Sequence, residues 1–384
     1  MNHVDTEKYD VIPVYISEQG VWYTGEPLRK IETFRRFSPD IAGIEQVILD
    51  SAAGSGALLT TRPGKGLWGK PQQLAVARLQ VCIIVMHGLN GEDGTLQGML
   101  EMANIPYSST GVAGSAIGMD KIMMKQFFRG ADLPVLPGLW YTASRFAEDH
   151  EAVASQVEQT LGYPVFVKPA NLGSSIGVSR ADDREGLMDS LELAFEYDRR
   201  VLVEKGLDHP IELNCSVLGY DDEVEASPIE MPTSALNDQF LDFKDKYLSN
   251  GGSKGMASLA RVLPAPIPDE MRDEIQRMSC EIFRMMDCKG VVRIDYMYDK
   301  ASDKVYITEI NTIPGSLAFY LWEAKGLKYS ALIDRMVQYA MKAHEDRNDR
   351  NYAFTSDILK NVSFGGAKGA KGSKGAKLSG GSKL

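Results

Sequence analysis

VVRIDYMYDKASDKVYITEIN, residues Val291–Asn311, decides how this chain is read. Two β-branched and aromatic runs, Val291–Tyr298 and Lys304–Ile310, flank the polar segment Asp299–Asp303. That pattern predicts two strands facing each other across a turn. Side chains two apart on a strand share a face. Arg293 and Asp295 therefore point the same way, as do Glu309 and Asn311 on the facing strand. Two carboxylates, an amide and a guanidinium converge on one sheet face. Without a counterion the acids would repel each other. Hard oxygen donors of this kind suit Mg2+, which keeps water and phosphate oxygens in its other positions. A plain polar strand face has the same spacing, so spacing alone does not choose.

Upstream, Val165–Lys168 predicts a strand running into PANLGSSIGV, Pro169–Val178. Gly173 and Gly177 permit close backbone approach, and Ser174 and Ser175 offer hydroxyls and N–H groups. Such a loop can fold over phosphates. It is neither a Walker A loop nor GxGxxG, and an ordinary turn reads the same way. Val201–Val203 predicts a further strand ending in Glu204-Lys205, with Glu212 eight residues on. The backbone there can pair with an adenine edge and a nearby carboxylate can accept from ribose hydroxyls. A solvated strand end is the plainer alternative.

Val81–Met86 (VCIIVM) is continuously apolar, as in a strand covered on both faces. It runs into HGLNGEDG, His87–Gly94, and then a helix over about Thr95–Ala103. Strand, glycine loop and helix form the unit of an open parallel α/β sheet, and Asp10–Ile16 predicts another short strand. Helices are predicted over about Met119–Arg129, closed by Gly130, and up to Leu161, stopped by Gly162 and Pro164. Another starts from a cap at Asp182 or Asp183, with Leu187, Leu191, Ala194 and Phe195 on one face. One over about Asp269–Met286 buries Met271, Ile275, Met278, Ile282 and Met285; the last covers about Ser330–His344. No internal repeat is visible.

With 384 residues and 44% hydrophobic side chains, the chain can bury a sizeable core. Its net charge of −10 argues against a protein built to coat nucleic acid. No apolar run reaches the roughly 18–20 residues of a membrane span, and the opening MNHVDTEKYD is too polar for a signal peptide. Four cysteines without zinc spacing predict inert thiols in a reduced compartment, Cys82 being a small core residue. Gly365–Leu384 carries seven glycines and five lysines without an acid or aromatic. It is expected to be disordered, either as a solvated appendage or in weak contact with an anionic surface.

Taken in order, these segments resemble the ATP-grasp fold and, more closely, the D-alanine–D-alanine ligase family. The similarity runs from about residue 5 to about residue 345. It is carried by HGLNGEDGTLQGMLEMANIPYSSTGV (His87–Val112), MDK (Met119–Lys121), VFVKPANLGSSIGV (Val165–Val178), VLVEK (Val201–Lys205), RIDYM (Arg293–Met297) and EINTIPGS (Glu309–Ser316). The resemblance implies an α/β chain, α+β in its grasp domains. A truncated N-terminal open parallel α/β domain would occupy 1–112, a central ATP-grasp subdomain 113–203, a catalytic subdomain 204–350 and a disordered tail 360–384.

The resemblance also assigns roles. Lys121 and Lys168 would hold the ATP phosphates, beneath a loop carrying Ser174 and Ser175. Glu204 and Lys205 would meet adenine, and Glu212 the ribose. Asp295, Glu309 and Asn311 would hold two Mg2+ ions, for which Mn2+ can substitute. Glu92, with His87 beside it, would orient a substrate-side network that includes Tyr107. Phe240–Tyr247 (FLDFKDKY) resembles a mobile lid, with Lys246 reaching the γ-phosphate and Tyr247 facing the substrate. Arg293 and the Gly315 N–H would stabilise developing negative charge. The implied activity is ATP-dependent ligation of two D-alanines through an acyl phosphate, for peptidoglycan precursors. It would run in the cytoplasm, without nucleic acid or membrane, with a homodimer suggested.

Alternatives are D-serine or D-lactate as acceptor, or a truncated nucleotide-binding homologue with little activity. Lys246-Tyr247 favours an amine acceptor. Two departures from the family pattern stand out. The family opens with a strand, a glycine-rich loop and a helix carrying a Glu, whereas this chain begins at the linker Asp5–Lys8. The expectation is an internal methionine taken as the start, or a degraded or repurposed copy, with Val81–Met86 and Asp10–Ile16 short of a neighbour. In addition, PGSLAFY (Pro314–Tyr320) lacks the Ser/Thr-rich stretch that binds the substrate carboxylate. Ser316 is the only hydroxymethyl group left, and Tyr320 reads either as a ligand or as a packing aromatic.

Overall fold

Alternation of apolar and polar side chains along the two central hairpins is what positions the site. The computed structural model describes residues 1–64, 69–173, 175–232 and 261–350. Met1–Arg347 form one unit; of the second, Asn348–Leu384, residues 348–350 are described.

The first sheet joins β1 (Val14–Ile16), β2 (Trp22–Thr24), β3 (Glu45–Leu49), β4 (Ala57–Arg62) and β5 (Gln72–Arg78), in that order. Every pairing in it is antiparallel, which corrects the open parallel sheet expected for the N-terminal region. Between β1 and β2 and between β3 and β4 the connections are too short for the crossover of a dozen residues or more that a parallel pair needs; β2 and β3 are joined by a longer segment carrying the short helices Glu26–Arg29 and Ile31–Arg35, yet pair antiparallel as well. Of Asp10–Ile16, only Val14–Ile16 is strand. Val81–Met86 is not a strand; it makes one parallel bridge, Cys82 to Tyr107. The Cys82 N–H donates to the Pro106 carbonyl and the Ser108 N–H to the Cys82 carbonyl, at 2.8 and 3.0 Å. Ile84 is buried beside this contact, but Val85 is 60% exposed, so the apolar run is covered on one side only.

The second sheet holds β6 (Gly138–Thr142), β7 (Val165–Pro169), β8 (Ser179–Ala181) and β9 (Arg200–Lys205), ordered β6-β9-β7-β8. Helices His150–Thr160 and Arg184–Tyr197 cover one face. Val153, Val157, Leu187 and Leu191 pack against Val165, Val167, Val201 and Val203. Asp183, not Asp182, caps the second helix through the Gly186 N–H. The opposite face is left to Leu202, Glu204 and Lys168, which the period of two puts together.

The third sheet contains β10 (Ile211–Tyr220) and β11 (Glu223–Ala226). The short pair β12 (Met231–Pro232) and β13 (Arg261–Val262) stands apart from it. The third sheet is completed by β14 (Lys289–Asp299) and β15 (Lys304–Asn311), in the order β11-β10-β14-β15. Helix Asp269–Met285 lays Ile275, Met278, Ile282 and Phe283 onto Leu213, Cys215, Val217, Val292, Ile294 and Tyr296. Met285 was expected inside this face but is exposed; the helix ends there, and Met286, its C-cap, turns inward instead. Arg293, Asp295, Asn214 and Glu212 are left on the far side of the sheet. The final helix runs Tyr329–Asn348. All four cysteines are free. Among the described residues no helix is long and apolar enough to cross a membrane. The tail expected to be disordered, 360–384, lies outside the described residues.

Candidate active site

The β14–β15 register pairs Asp295 with Glu309 and Arg293 with Asn311, so all four side chains share one sheet face as the sequence predicts. Arg293 grips Asp295 with both ends of its fork: Nε donates to Oδ1 at 2.6 Å and a terminal nitrogen to Oδ2 at 2.7 Å. Asn311 Nδ2 donates to the same Oδ2 at 3.0 Å. Burial pushes the Asp295 carboxyl up. Arg293 pulls it back, and Glu309 and Glu230 add like charge, leaving it above the usual carboxylate range. A cation between Asp295 and Glu309 would relieve that repulsion. Two carboxylates and an amide oxygen fit Mg2+, whose remaining positions phosphate and water fill. Among the described residues no three His, Cys, Asp or Glu side chains form a metal cluster by themselves.

The lysines arrive from a helix and a strand. Asp120 caps helix Lys121–Gly130, accepting from the Ile122 and Met123 N–H groups at 3.0 Å, and pairs with Arg200. Met119 belongs to the preceding helix, Val112–Met119. The Lys121 N–H donates to the Ala170 carbonyl at the end of β7, and its Nζ to the Leu172 carbonyl at 2.5 Å. Burial pulls the Lys121 pKa down, and nearby Glu309 opposes this. An ammonium so placed gains from an incoming phosphate. Lys125, one turn on, was missed by the sequence reading, although i, i+4 spacing from Lys121 puts it on the same helix face.

Lys125 and Lys168 converge on one carboxylate. Glu204, 2% exposed, receives Lys125 Nζ at 2.6 Å and Lys168 Nζ at 2.7 Å. Lys125 also donates to the Ile307 carbonyl of β15, tying the second sheet to the third. The family resemblance implies a contact between Glu204 and adenine; in the structure two lysines hold its carboxylate. Lys205 Nζ donates to the Tyr163 carbonyl at 2.9 Å, and Glu212 sits on β10 opposite Met297. Ser175 adopts a left-handed backbone, φ +60°, in the turn after β7, where its carbonyl accepts from the Val178 N–H. Ser174, Lys246, Tyr247 and the whole Phe240–Tyr247 lid segment lie outside the described residues.

Glu92 comes from the loop before helix Thr95–Met102. Its carboxylate accepts from the Gly88 N–H at 2.7 Å and the Ile313 N–H at 3.2 Å. His87 Nδ1 donates to the Ile313 carbonyl at 3.0 Å, so the two side chains hold the N–H and C=O of one residue just beyond Asn311. Burial pushes Glu92 up, and Glu309 adds to the push. The Tyr107 ring is buried under Lys289, and its hydroxyl donates to Glu101.

After Ile313 the chain enters a short helical turn, Gly315–Ala318. Ser316, Leu317 and Ala318 have φ of +52°, +57° and +49°. Three successive non-glycine residues in the left-handed region cost roughly 1–2 kcal/mol each. Strain of this kind collects at functional sites. The turn delivers Tyr320 as a buried aromatic. Its hydroxyl donates to Glu230 Oε2 at 2.9 Å, and Arg261 lies over its ring, 3.9 Å from the centroid. Glu230, Arg261 and Asn214 were also missed by the sequence reading. Asn214 alone carried a signal, two residues after Glu212 on the same strand face.

Two family descriptions match the chain: "D-ala D-ala ligase N-terminus" over residues 1–110 and "D-ala D-ala ligase C-terminus" over residues 127–338. A D-alanine–D-alanine ligase from Thermosipho africanus is 33% identical over 94% of this chain and 92% of its own length. One from Heliobacterium modesticaldum is 37% identical over 90% and 89%. The solved D-alanine–D-alanine ligase from Coxiella burnetii shares the fold, with TM-score 0.70 and 24% identity, covering 90% of each chain. The VanG D-Ala:D-Ser ligase from Enterococcus faecalis reaches 0.71 at 28% identity, covering 88% of this chain and 92% of that one. With its facing acids, its lysines clustered from one helix and one strand, and these matches spanning most of its length, the chain belongs to the D-alanine–D-alanine ligase family.

Proposed function

We propose that this chain uses ATP to join two D-alanines into D-alanyl-D-alanine for peptidoglycan precursors. The observation that carries the reading is the in-register pair Asp295 and Glu309, backed by Arg293, with Glu309 within electrostatic reach of Lys121. Lys121 and Lys168 hold the phosphates. Asp295, Glu309 and Asn311 would hold Mg2+, which supplies charge neutralisation for the transferring phosphoryl group. A carboxylate is a poor electrophile. Moving the γ-phosphoryl group onto a carboxylate oxygen of the first D-alanine yields ADP and an acyl phosphate. The amine of the second D-alanine then attacks the carbonyl carbon and loses a proton. The C–O bond to phosphate breaks and inorganic phosphate departs. Arg293 and the Gly315 N–H face the charge that develops on the carbonyl oxygen.

Residues 113–203 and 204–350 act as the two halves that enclose the nucleotide, and 1–112 completes the substrate side. Family membership supports a cytoplasmic homodimer, which sedimentation checks. D-serine is the competing acceptor, favoured by similarity to the VanG ligase. The test is phosphate release with ATP and Mg2+ on adding D-alanine alone, then with D-serine or D-lactate as competitor. D-Alanine alone should drive release and give the dipeptide. No release with D-alanine, or preferential incorporation of a competitor, overturns the assignment.

A further inference from the structure

In the proposed reaction the phosphates of ATP lie against Lys121 and Lys168, beneath the loop that follows β7. A loop that covers a triphosphate closes accurately only if its stems stay in place. The entry stem is held at each of the successive residues Ala170, Asn171 and Leu172. The Ala170 N–H donates to the Arg200 carbonyl at 3.0 Å, and the Ala170 carbonyl accepts from the Lys121 N–H at 2.9 Å. One carboxylate oxygen holds Asn171 by both of its donors: the backbone N–H and the side-chain Nδ2 each lie 2.9 Å from Asp198 Oδ2. The Leu172 carbonyl accepts from Lys121 Nζ at 2.5 Å, which brings the stem up to the phosphate lysine.

Asp198 is the C-cap of helix Arg184–Tyr197, and its own N–H donates to the Ala194 carbonyl at 3.2 Å. Its other carboxylate oxygen accepts from the Arg200 N–H at 3.0 Å, so both oxygens are engaged and the group cannot swing. Hydrogen bonds to an ionised carboxylate are stronger than those between neutral groups, and two donors on one oxygen fix direction as well as distance. The preceding residue reaches the exit stem. Gly177 has φ of +69°, and a Cβ there would stand 2.8 Å from the Tyr197 ring and 2.9 Å from Pro169 Cγ. The loop therefore returns against the helix end that holds its entry, and glycine is what admits so close an approach. Near its exit the Ile176 N–H donates to the Gly173 carbonyl and the Val178 N–H to the Ser175 carbonyl, each at 3.2 Å. The helix is itself seated on the second sheet through Leu187, Leu191 and Ala194, which makes the anchor rigid.

We infer that Tyr197 and Asp198 are positioning residues for the phosphate-covering loop: Asp198 fixes its entry stem through Asn171, Tyr197 backs its exit stem at Gly177, and together they set how the loop closes on the β- and γ-phosphates. This rests on the proposed ligase reading. It gives the C-terminal end of a helix on the far face of the sheet a part in nucleotide binding.

The experiment measures binding of the non-hydrolysable triphosphate AMP-PNP with Mg2+, and of AMP, to the full chain and to Asp198→Ala. AMP lacks the β- and γ-phosphates and reports on the adenosine end alone. Asp198→Ala should weaken AMP-PNP roughly tenfold and leave AMP nearly unchanged, with the KM for ATP rising by a similar factor and that for D-alanine holding. Asp198→Asn keeps an acceptor oxygen for Asn171 and should recover most of the loss. A merely structural role would weaken both nucleotides alike. Equal weakening of the two in folded Asp198→Ala, or no weakening of AMP-PNP, overturns the inference. Should that variant not fold, Asn171→Ala carries the test. It removes the Nδ2 bond and keeps the backbone one, so a several-fold loss confined to AMP-PNP is expected, and an unchanged affinity overturns the inference. An unsubstituted chain that releases no phosphate with D-alanine refutes the ligase reading instead, so the two failures are distinct.

Discussion

Replacing Glu204 with Gln keeps the side chain's shape and removes its charge. In the native chain the carboxylate is 2% exposed and lies 2.6 and 2.7 Å from Lys125 and Lys168. Burial by itself would raise its pKa. The two lysines outweigh burial and hold it down at about 2, against an ordinary 4.5. At 1.36 kcal/mol per unit, that difference is worth about 3 kcal/mol at neutral pH. Removing one partner of a buried pair costs about 3–5 kcal/mol, because the other charges stay buried without compensation. Glu204→Gln should therefore destabilise the chain by about 3–5 kcal/mol at pH 7. Adding Lys125→Met should restore part of the loss by removing one stranded ammonium. The folded pKa is depressed, so the stabilisation is fully present above about pH 4.5 and is lost as pH falls through about 2. The gap between native and variant should close over that window. Urea unfolding followed by the fluorescence of Trp140, on β6 opposite Leu202 of β9, reads the gap. A loss at pH 7 no larger than that of an exposed pair, about 1 kcal/mol or less, would refute the clamp. So would a gap that ignores pH.

Other outcomes follow from the same geometry. Glu309→Gln removes the acid facing Asp295 and should lower kcat by on the order of 10²–10³-fold; unchanged phosphate release would remove the acid pair from the chemistry. Asp120→Ala loses a helix cap worth about 1 kcal/mol and the pairing with Arg200. It loosens Lys121 at the first helical position, so a rise in the KM for ATP is expected along with a lower melting temperature. Gly290 has φ of +75°, and a Cβ there would run into the Ser108 carbonyl oxygen. Gly290→Ala should cost more than the roughly 1–2 kcal/mol of a left-handed alanine, seen as a fall in thermal midpoint, because β14 must shift away from Ser108.

The acidic hairpin was legible because it needed only local rules. Arg293, Asp295, Glu309 and Asn311 lie within one turn-linked pair of strands, and strand alternation put them on one face before any tertiary contact was known. The helix signals were nearly as legible where a cap was written in, as at Asp183. The failures are non-local. VCIIVM has the composition of a two-sided strand, yet what it becomes depends on how many neighbours the rest of the chain offers, and it finds one, at Tyr107. The lysine partners of Glu204 were not legible, because they come from a helix some eighty residues earlier and from a neighbouring strand.

What the amino-acid order determined by itself was therefore the periodic part: which side chains share a face, where helices start, and which ordered segments mark the family. The pleat and the helical turn impose those relations on any chain that adopts them. Only the tertiary structure decided which faces meet. It put Lys125 against Glu204, brought the clasp of Glu92 and His87 onto Ile313, and stacked Arg261 on Tyr320 above Glu230. Those contacts join residues far apart in sequence. They exist because burying the apolar faces of three antiparallel sheets leaves their charged edges only one another to face, and a buried charge is tolerated only when paired.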